Sequence, residues 1–277
     1  MISERYDLHC HSTASDGLLS PADVVCRAQQ QGVTALALTD HDTTAGLAEA
    51  EACAKQAGIK LIPGIELSTN WQNQCLHIVG LGINPDYLPL ANATVNLQNT
   101  RLERAEKIAE KLAKKNIPGA LEGVLKVAGE GMITRSHFAE FLVSQHHVST
   151  PQEAFDRYLG KGKSAYVSTT WADLVQGISW INESGGVAVL AHPLRYQLSA
   201  KWMKRLLGAF KEAGGAGIEV ITGRTNPEEI KRVAHYATSF ELAGSTGSDF
   251  HAPDQWVELG RLAALPNSIK PIWELLN

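Results

Sequence analysis

The chain has 277 residues, 44% of them hydrophobic and 19% charged, with a formal net charge of −4. That length suits one large domain, or one domain with an insertion, and the negative balance argues against a protein that coats duplex DNA through its phosphates. No apolar run approaches the roughly 20 residues of a membrane span, so no membrane partner is expected.

The N-terminus, MISERYDLH, enters a strand almost at once and leaves no room for the apolar stretch of a signal peptide. The first apolar run is YDLHCH. Strand alternation puts His9 and His11 on one face and Cys10 on the other. Asp16 follows in SDG, where on its own it reads as a turn residue. A helix is predicted over residues 20–32, with Ser20 before Pro21 as its start signal. The second strand, TALALTD, ends in TDHD, which carries Asp40, His41 and Asp42. A second helix over 44–57 stops at Gly58. The third strand, KLIPGIEL, carries Glu66 at its end, and the fourth, CLHIVGLGI, carries His77.

The segment 97–162 breaks the rhythm. It opens with the charged helical run RLERAEKIAEKLAKKN and reads as a helical insertion and substrate lid, leaving 1–96 and 163–277 as the barrel domain. Helices over 171–183, 201–213 and 227–239 then alternate with the strands GVAVLAHP, GIEVI and AGSTGSD. His192 ends the first of these, and Asp249 and His251 end the last. GGAG near Gly214 reads as a helix stop, not a nucleotide loop. Strands alternating with helices argue for a parallel α/β fold, and seven strands suggest barrel-like closure. The four cysteines, Cys10, Cys26, Cys53 and Cys75, form no CxxC pair, so a reduced cytoplasm fits best.

Each histidine or carboxylate alone has a structural reading, as a core histidine, a helix cap or a turn. Their recurrence at separate strand ends does not, because C-terminal strand ends are where parallel α/β folds build sites. Imidazole and carboxylate together suit zinc, manganese or iron better than calcium. Nine such groups are too many for one ion, so two or three clustered divalent metals are expected, with a carboxylate such as Glu66 bridging.

HxH, SDG, TDHD, the strand-end Glu, the strand His, AHP and SDFH, in that order, resemble the polymerase and histidinol phosphatase (PHP) family. The resemblance implies a distorted (β/α)7 TIM-like barrel and a metal centre. It would place His9, His11, Glu66 and Asp249 on one metal, Glu66, His77 and His192 on a second, and Asp16, His41 and His251 on a third. Manganese is the first choice, with iron, zinc or magnesium as alternatives. RLERA, TRSHFA, AHPLRY and GSDFH further resemble the subgroup that removes the 3′-phosphate from nucleoside 3′,5′-bisphosphates, with links to 5′→3′ trimming of short RNA. Leu194 stands where that subgroup's pattern carries Gly. A nucleotide or short RNA is thus the expected partner, and metal-bound hydroxide, with no covalent nucleophile, the expected attacking group. Substrate contacts are expected from Asp42, Arg101, Arg104, Arg135, Ser136, His137 and Arg195, with Lys161 and Lys163 as weaker candidates. Two rival readings are a histidinol-phosphate-type phosphatase and a nucleic-acid-binding module.

Overall fold

The computed structural model describes residues 4–253 and 256–276. Its elements are β1 (Tyr6–Asp7), α1 (Pro21–Gln30), β2 (Ala35–Leu38), α2 (Leu47–Ala57), β3 (Lys60–Trp71) and β4 (Gln74–Leu81). Four helices follow, α3 (Leu88–Ala113), α4 (Ala120–Ala128), α5 (Arg135–Ser144) and α6 (Pro151–Ala154). The remainder is β5 (Ala172–Asp173), α7 (Leu174–Glu183), β6 (Val187–Leu190), α8 (Ala200–Glu212), β7 (Gly217–Thr222), α9 (Pro227–Ser239) and β8 (Ala243–Gly247).

The sheet order is β1-β2-β3-β4-β6-β7-β8, with β5 pairing β3 off that path. Closure falls to the segments just past β1 and β8. A parallel bridge joins Cys10 to Phe250, and Asp249 N donates to His9 O at 2.8 Å. The result is a nearly closed, distorted TIM-like barrel. Strand alternation divides its apolar side chains. Ala35 and Ala37 share a cluster with Leu8, Ile62, Val79, Val189 and Ala191 inside. Leu36 and Leu38 pack with the helical residues Val24, Ala50, Ile178, Leu206 and Val233 outside.

One strand departs from the expected parallel arrangement. β4 runs antiparallel to both neighbours, β3 and β6, while the other pairs are parallel. The cause is a hairpin. Only Gln72 and Asn73 lie between the paired Trp71 and Gln74, and Gln72 takes a left-handed φ of 52°. Two residues suffice for an antiparallel return and are far too few for a parallel crossover. His77 therefore reaches the C-terminal face from the early part of its strand.

Local signals fix most helix ends. Ser20 Oγ accepts from Asp23 N, and Asn226 and Glu229 form a capping box at α9. Gly58 ends α2 in the left-handed conformation. α7 begins at Leu174, not 171, because Ala172 and Asp173 pair with β3 and the Asp173 side chain caps the helix. α3 begins at Leu88, ahead of residue 97. Its first half packs Leu90 and Leu97 into the barrel's outer core. Its second half packs Ala105, Ile108 and Leu112 into a separate core with α4 and α5. Cys10 is buried away from the histidine pair, its Sγ near Ala37 O. Cys26 and Cys53, on α1 and α2, lie with sulfurs 3.3 Å apart as free thiols.

Candidate metal centre

The sheet topology brings His9, His11, Asp16, His41, Glu66, His77, His192, Asp249 and His251 to one face of the barrel. Glu66 is fully buried at the centre, and its two oxygens divide the histidines. Oε1 lies 2.9 Å from His77 Nδ1 and 3.0 Å from His192 Nε2. Oε2 lies 2.8 Å from His41 Nδ1, 3.3 Å from His9 Nε2 and 3.4 Å from His11 Nε2. Asp249 Oδ1 stands 3.5 Å from His9 Nε2 and 3.2 Å from His11 Nε2. Asp16 Oδ1 faces His251 Nε2 at 3.4 Å and His41 Nε2 at 4.0 Å.

These spacings can be tested against divalent ions. Four ligands held about 2.1 Å from a tetrahedral metal lie about 3.4 Å from one another. The contacts of His9 and His11 with each other, with Glu66 Oε2 and with Asp249 Oδ1 run from 3.1 to 3.5 Å, while Asp249 falls outside the group in which all ligand atoms are mutually close. Three overlapping groups have ligand atoms mutually within 4.8 Å: His11–Asp16–His41–His251, His9–His11–Glu66 and His41–Glu66–His77. Asp16 Oδ1, His41 Nδ1, Glu66 Oε2 and His192 Nδ1 are buried without a hydrogen-bond partner among the described residues. His41 Nδ1 and Glu66 Oε2 approach closely, yet out of line for a hydrogen bond. Lone pairs converging on a shared cation would do this, and burial without one would cost about 1–3 kcal/mol per group. The donor set fits divalent metals.

Electrostatics agree. Burial works against a charge on Glu66, Asp16 and Asp249, but the surrounding histidines, with Arg195 at Asp249, hold all three carboxyls well below the ordinary range. Burial and neighbouring His251 push His11 down to about 3. The backbone is bent to suit. Asp42, His192 and Asp249 take left-handed φ values of 53°, 28° and 56°, conformations that cost non-glycine residues about 1 kcal/mol or more each.

Supporting groups that sequence reasoning missed stand behind the cluster. Glu219 Oε1 lies 2.6 Å from His9 Nδ1, and its Oε2 accepts from His192 N at 2.6 Å. Asp40 accepts from Ser12 N, Ser12 Oγ and Ser15 Oγ, holding the loop that carries Asp16. Tyr196 donates to Ala191 O and accepts from His77 N, both at 2.9 Å. Only the TDHD and RY motifs offered any signal for the last two. GIEVI offered none beyond an acid inside an apolar strand.

Two cavities open on the cluster through its carboxylates, and a third, of about 140 Å³, reaches it at His192 alone. The narrower, about 130 Å³, is lined by Asp16, His41 and His77 together with Arg101, Arg104, Arg135, Ser136 and Trp171. Arg104 and Arg135 lie over the rings of Trp171 and Phe155, with no carboxylate partner among the described residues. Burial, then Arg135 and Arg101, lowers Arg104 to about 9. The wider cavity, about 380 Å³, takes in Asp16, Asp249, His251, Ser136 and Arg195.

Three expected substrate contacts make bonds within the protein. Asp42 is fully buried. Its Oδ2 accepts from Arg101 Nε at 2.8 Å and its Oδ1 from Ser68 N at 2.6 Å, so both oxygens face protein. Arg101, 5% exposed, is correspondingly committed to Asp42, Ser68 and Ile133. His137 Nδ1 accepts from Thr134 N, closing the cap of α5. Arg195 is half-exposed and pairs with Asp249. Lys161 and Lys163 are exposed and line neither cavity. Among the described residues no helix is long and apolar enough to cross a membrane.

Comparison with known proteins gives the same picture. A model of the PHP domain matches residues 7–223. A 5′-3′ exoribonuclease of Haemophilus influenzae is 46% identical over 273 residues, covering 99% of each chain. A 3′,5′-nucleoside bisphosphate phosphatase of Chromobacterium violaceum is 42% identical over 273 residues, covering 98% of this chain and 96% of that protein. A solved structure from C. violaceum, described as an amidohydrolase with bound sulfate and no metal, superposes with a TM-score of 0.94. It is 42% identical, with 98% of this chain and 95% of that one covered.

Proposed function

The chain belongs to the PHP-domain family, and from that premise we propose that it hydrolyses the 3′-phosphate of nucleoside 3′,5′-bisphosphates and trims short RNA from its 5′ end. The observation that carries this reading is the narrow cavity, where Arg104 and Arg135, without a carboxylate partner among the described residues, adjoin the His/Asp/Glu cluster. Like charges crowded without a counterion await an anion, and guanidinium suits phosphate bidentately.

The two activities need one site. Removal of the 3′-phosphate and release of a 5′-nucleotide from RNA both break the P–O3′ bond of the nucleotide whose 5′-phosphate is held. The two or three divalent ions proposed, manganese first and iron, zinc or magnesium as alternatives, would supply an activated water and neutralise phosphoryl charge. The nine cluster residues would hold them, and Glu219 orients His9. Arg104, Arg135 and the helix entry at Ser136 would grip the 5′-phosphate. Asp42 and Arg101 would support that wall from behind it. Binding a second, non-reacting phosphate gives specificity over simple monoesters.

The test is phosphate release by metal-reconstituted protein from adenosine 3′,5′-bisphosphate and from histidinol phosphate, with His9→Ala and Asp249→Asn as controls. The cationic wall disfavours an ammonium-bearing amino alcohol. The bisphosphate is therefore expected to lead by roughly 10²-fold or more, as where a site's polar groups would be left unmatched. Parity, or full activity in both controls, contradicts the reading. Arg135→Ala is expected to lower kcat/KM on the bisphosphate about 10- to 100-fold, the worth of a charged hydrogen bond, with far less effect on p-nitrophenyl phosphate. Equal losses on both would remove Arg135 from the phosphate site.

A further inference from the structure

The phosphate-site reading uses one of the two cavities that open on the cluster carboxylates. The wider one shares only Asp16, Ser136 and Phe155 with the narrow one. Its volume of about 380 Å³ falls among ordinary ligand sites, about 300–1,000 Å³. Its walls are mixed. Leu18, Phe155 and Val257 give an apolar side, Arg195 and Arg224 a cationic one, and Glu140 is the acid of the lining outside the cluster. Leu18 is 58% exposed at the rim. Arg224, exposed in the turn between β7 and α9, has no hydrogen bond or ion pair among the described residues.

The bond being broken says what must lie there. Water oxygen bonds to phosphorus, the P–O3′ bond opens, and the water's proton ends on O3′. In a bisphosphate the phosphorus carries no further substituent. In RNA it also carries the 5′-oxygen of the next nucleotide, and that nucleotide must leave the cluster away from the arginines holding the 5′-phosphate. The wide cavity, about 380 Å³ against about 140 Å³ for the one at His192, is the roomier opening away from Arg104 and Arg135. Apolar and aromatic walls with interspersed guanidinium are what unstacked bases on a phosphate backbone require.

We propose that the wide cavity is the track for the RNA strand downstream of the scissile phosphodiester, and that Arg224 contacts its phosphates. The proposal rests on the phosphoesterase reading. It makes Arg224 a residue that distinguishes polynucleotide from mononucleotide.

Two measurements test it. One is the ratio of kcat/KM on a 5′-phosphorylated RNA hexanucleotide to that on adenosine 3′,5′-bisphosphate, for wild type, Arg224→Ala and Arg224→Lys. The other is binding of the fluorescently labelled hexanucleotide to metal-free protein between 50 and 200 mM salt, followed by anisotropy. Arg224→Ala is expected to lower the ratio about tenfold, with partial recovery in Arg224→Lys. The slope of log affinity against log salt should fall by about 0.7, one single-strand phosphate contact. An unaltered ratio and slope in Arg224→Ala overturn the track while the phosphoesterase reading stands. A wild-type protein that hydrolyses neither substrate overturns the reading and the track together.

Discussion

Glu219 shows how much of the centre depends on a residue that need not touch a metal. One oxygen fixes the His9 ring and the other fixes the His192 backbone. Outer carboxylates of this kind typically support 10- to 100-fold in metal affinity. Glu219→Gln is expected to weaken metal binding by about that factor in a titration, with activity partly restored by excess metal. An unchanged isotherm would refute the role. Protonation supplies a second handle. Burial works against a charge on His77 and His251, yet Glu66 beside the first and Asp16 beside the second raise them to about 10 and about 9. Both rings are then charged at neutral pH in the metal-free chain. Their stabilisation is fully present below the ordinary value of 6.5 and is lost as pH rises through about 9 to 10. The melting temperature of metal-free protein should fall between pH 7 and 10, and metal affinity should rise with pH as protons are expelled. A flat melting profile in that range contradicts this. The His and acid positions of the cluster stand out in the sequence because short motifs carry them at or near predicted strand ends, although His77 reaches the site from the early part of β4. The supporting pairs do not. Glu219 lies 210 residues from His9 and Asp42 lies 59 from Arg101, separations over which spacing carries no information.

Among the elements, β8 and the segment after β1 approach closely at the seam of the barrel. A Cβ on Gly247 would stand 2.3 Å from His9 Cβ. Gly247→Ala is therefore expected to cost about 1–3 kcal/mol in chemical denaturation, and to displace His9 enough to lower bound metal. Wild-type metal content with wild-type stability would show that the seam is slack. The reversal of β4 is the element-level feature that the sequence hid. An apolar run reads the same in either direction, and WQNQ lacks the Asn-Gly or Asp-Gly pair that announces a tight hairpin. The helix boundaries fared better where Ser20, Asn226 and Gly58 carried local chemistry.

At the scale of the molecule, an acidic chain crowds Arg101, Arg104, Arg135 and Arg195 around one site. It also joins two apolar cores through a buried ion pair. Arg101, midway along α3, reaches Asp42 behind the cluster and Ile133 ahead of α5. Breaking such a pair by removing one member strands the other, at a cost of about 3–5 kcal/mol. Arg101→Ala is expected to lose that much in urea unfolding, and the double variant Asp42→Asn/Arg101→Met much less. A loss under about 1 kcal/mol in the single variant would show that the pair is not holding the halves together.

The course of α3 has an evolutionary corollary. Its 26 residues are rooted in the barrel at Leu97 and in the second core at Ala105, with both Arg101 and Arg104 between. One residue inserted in that interval would turn everything beyond it by about 100° and advance it about 1.5 Å, carrying Arg104 out of register with the cluster. Length drift among descendants of this chain is therefore barred from about two turns of helix, and is better tolerated in the connection at 114–119 than at 129–134, where Met132 N is bonded to Ala14 O and Ile133 O to Arg101.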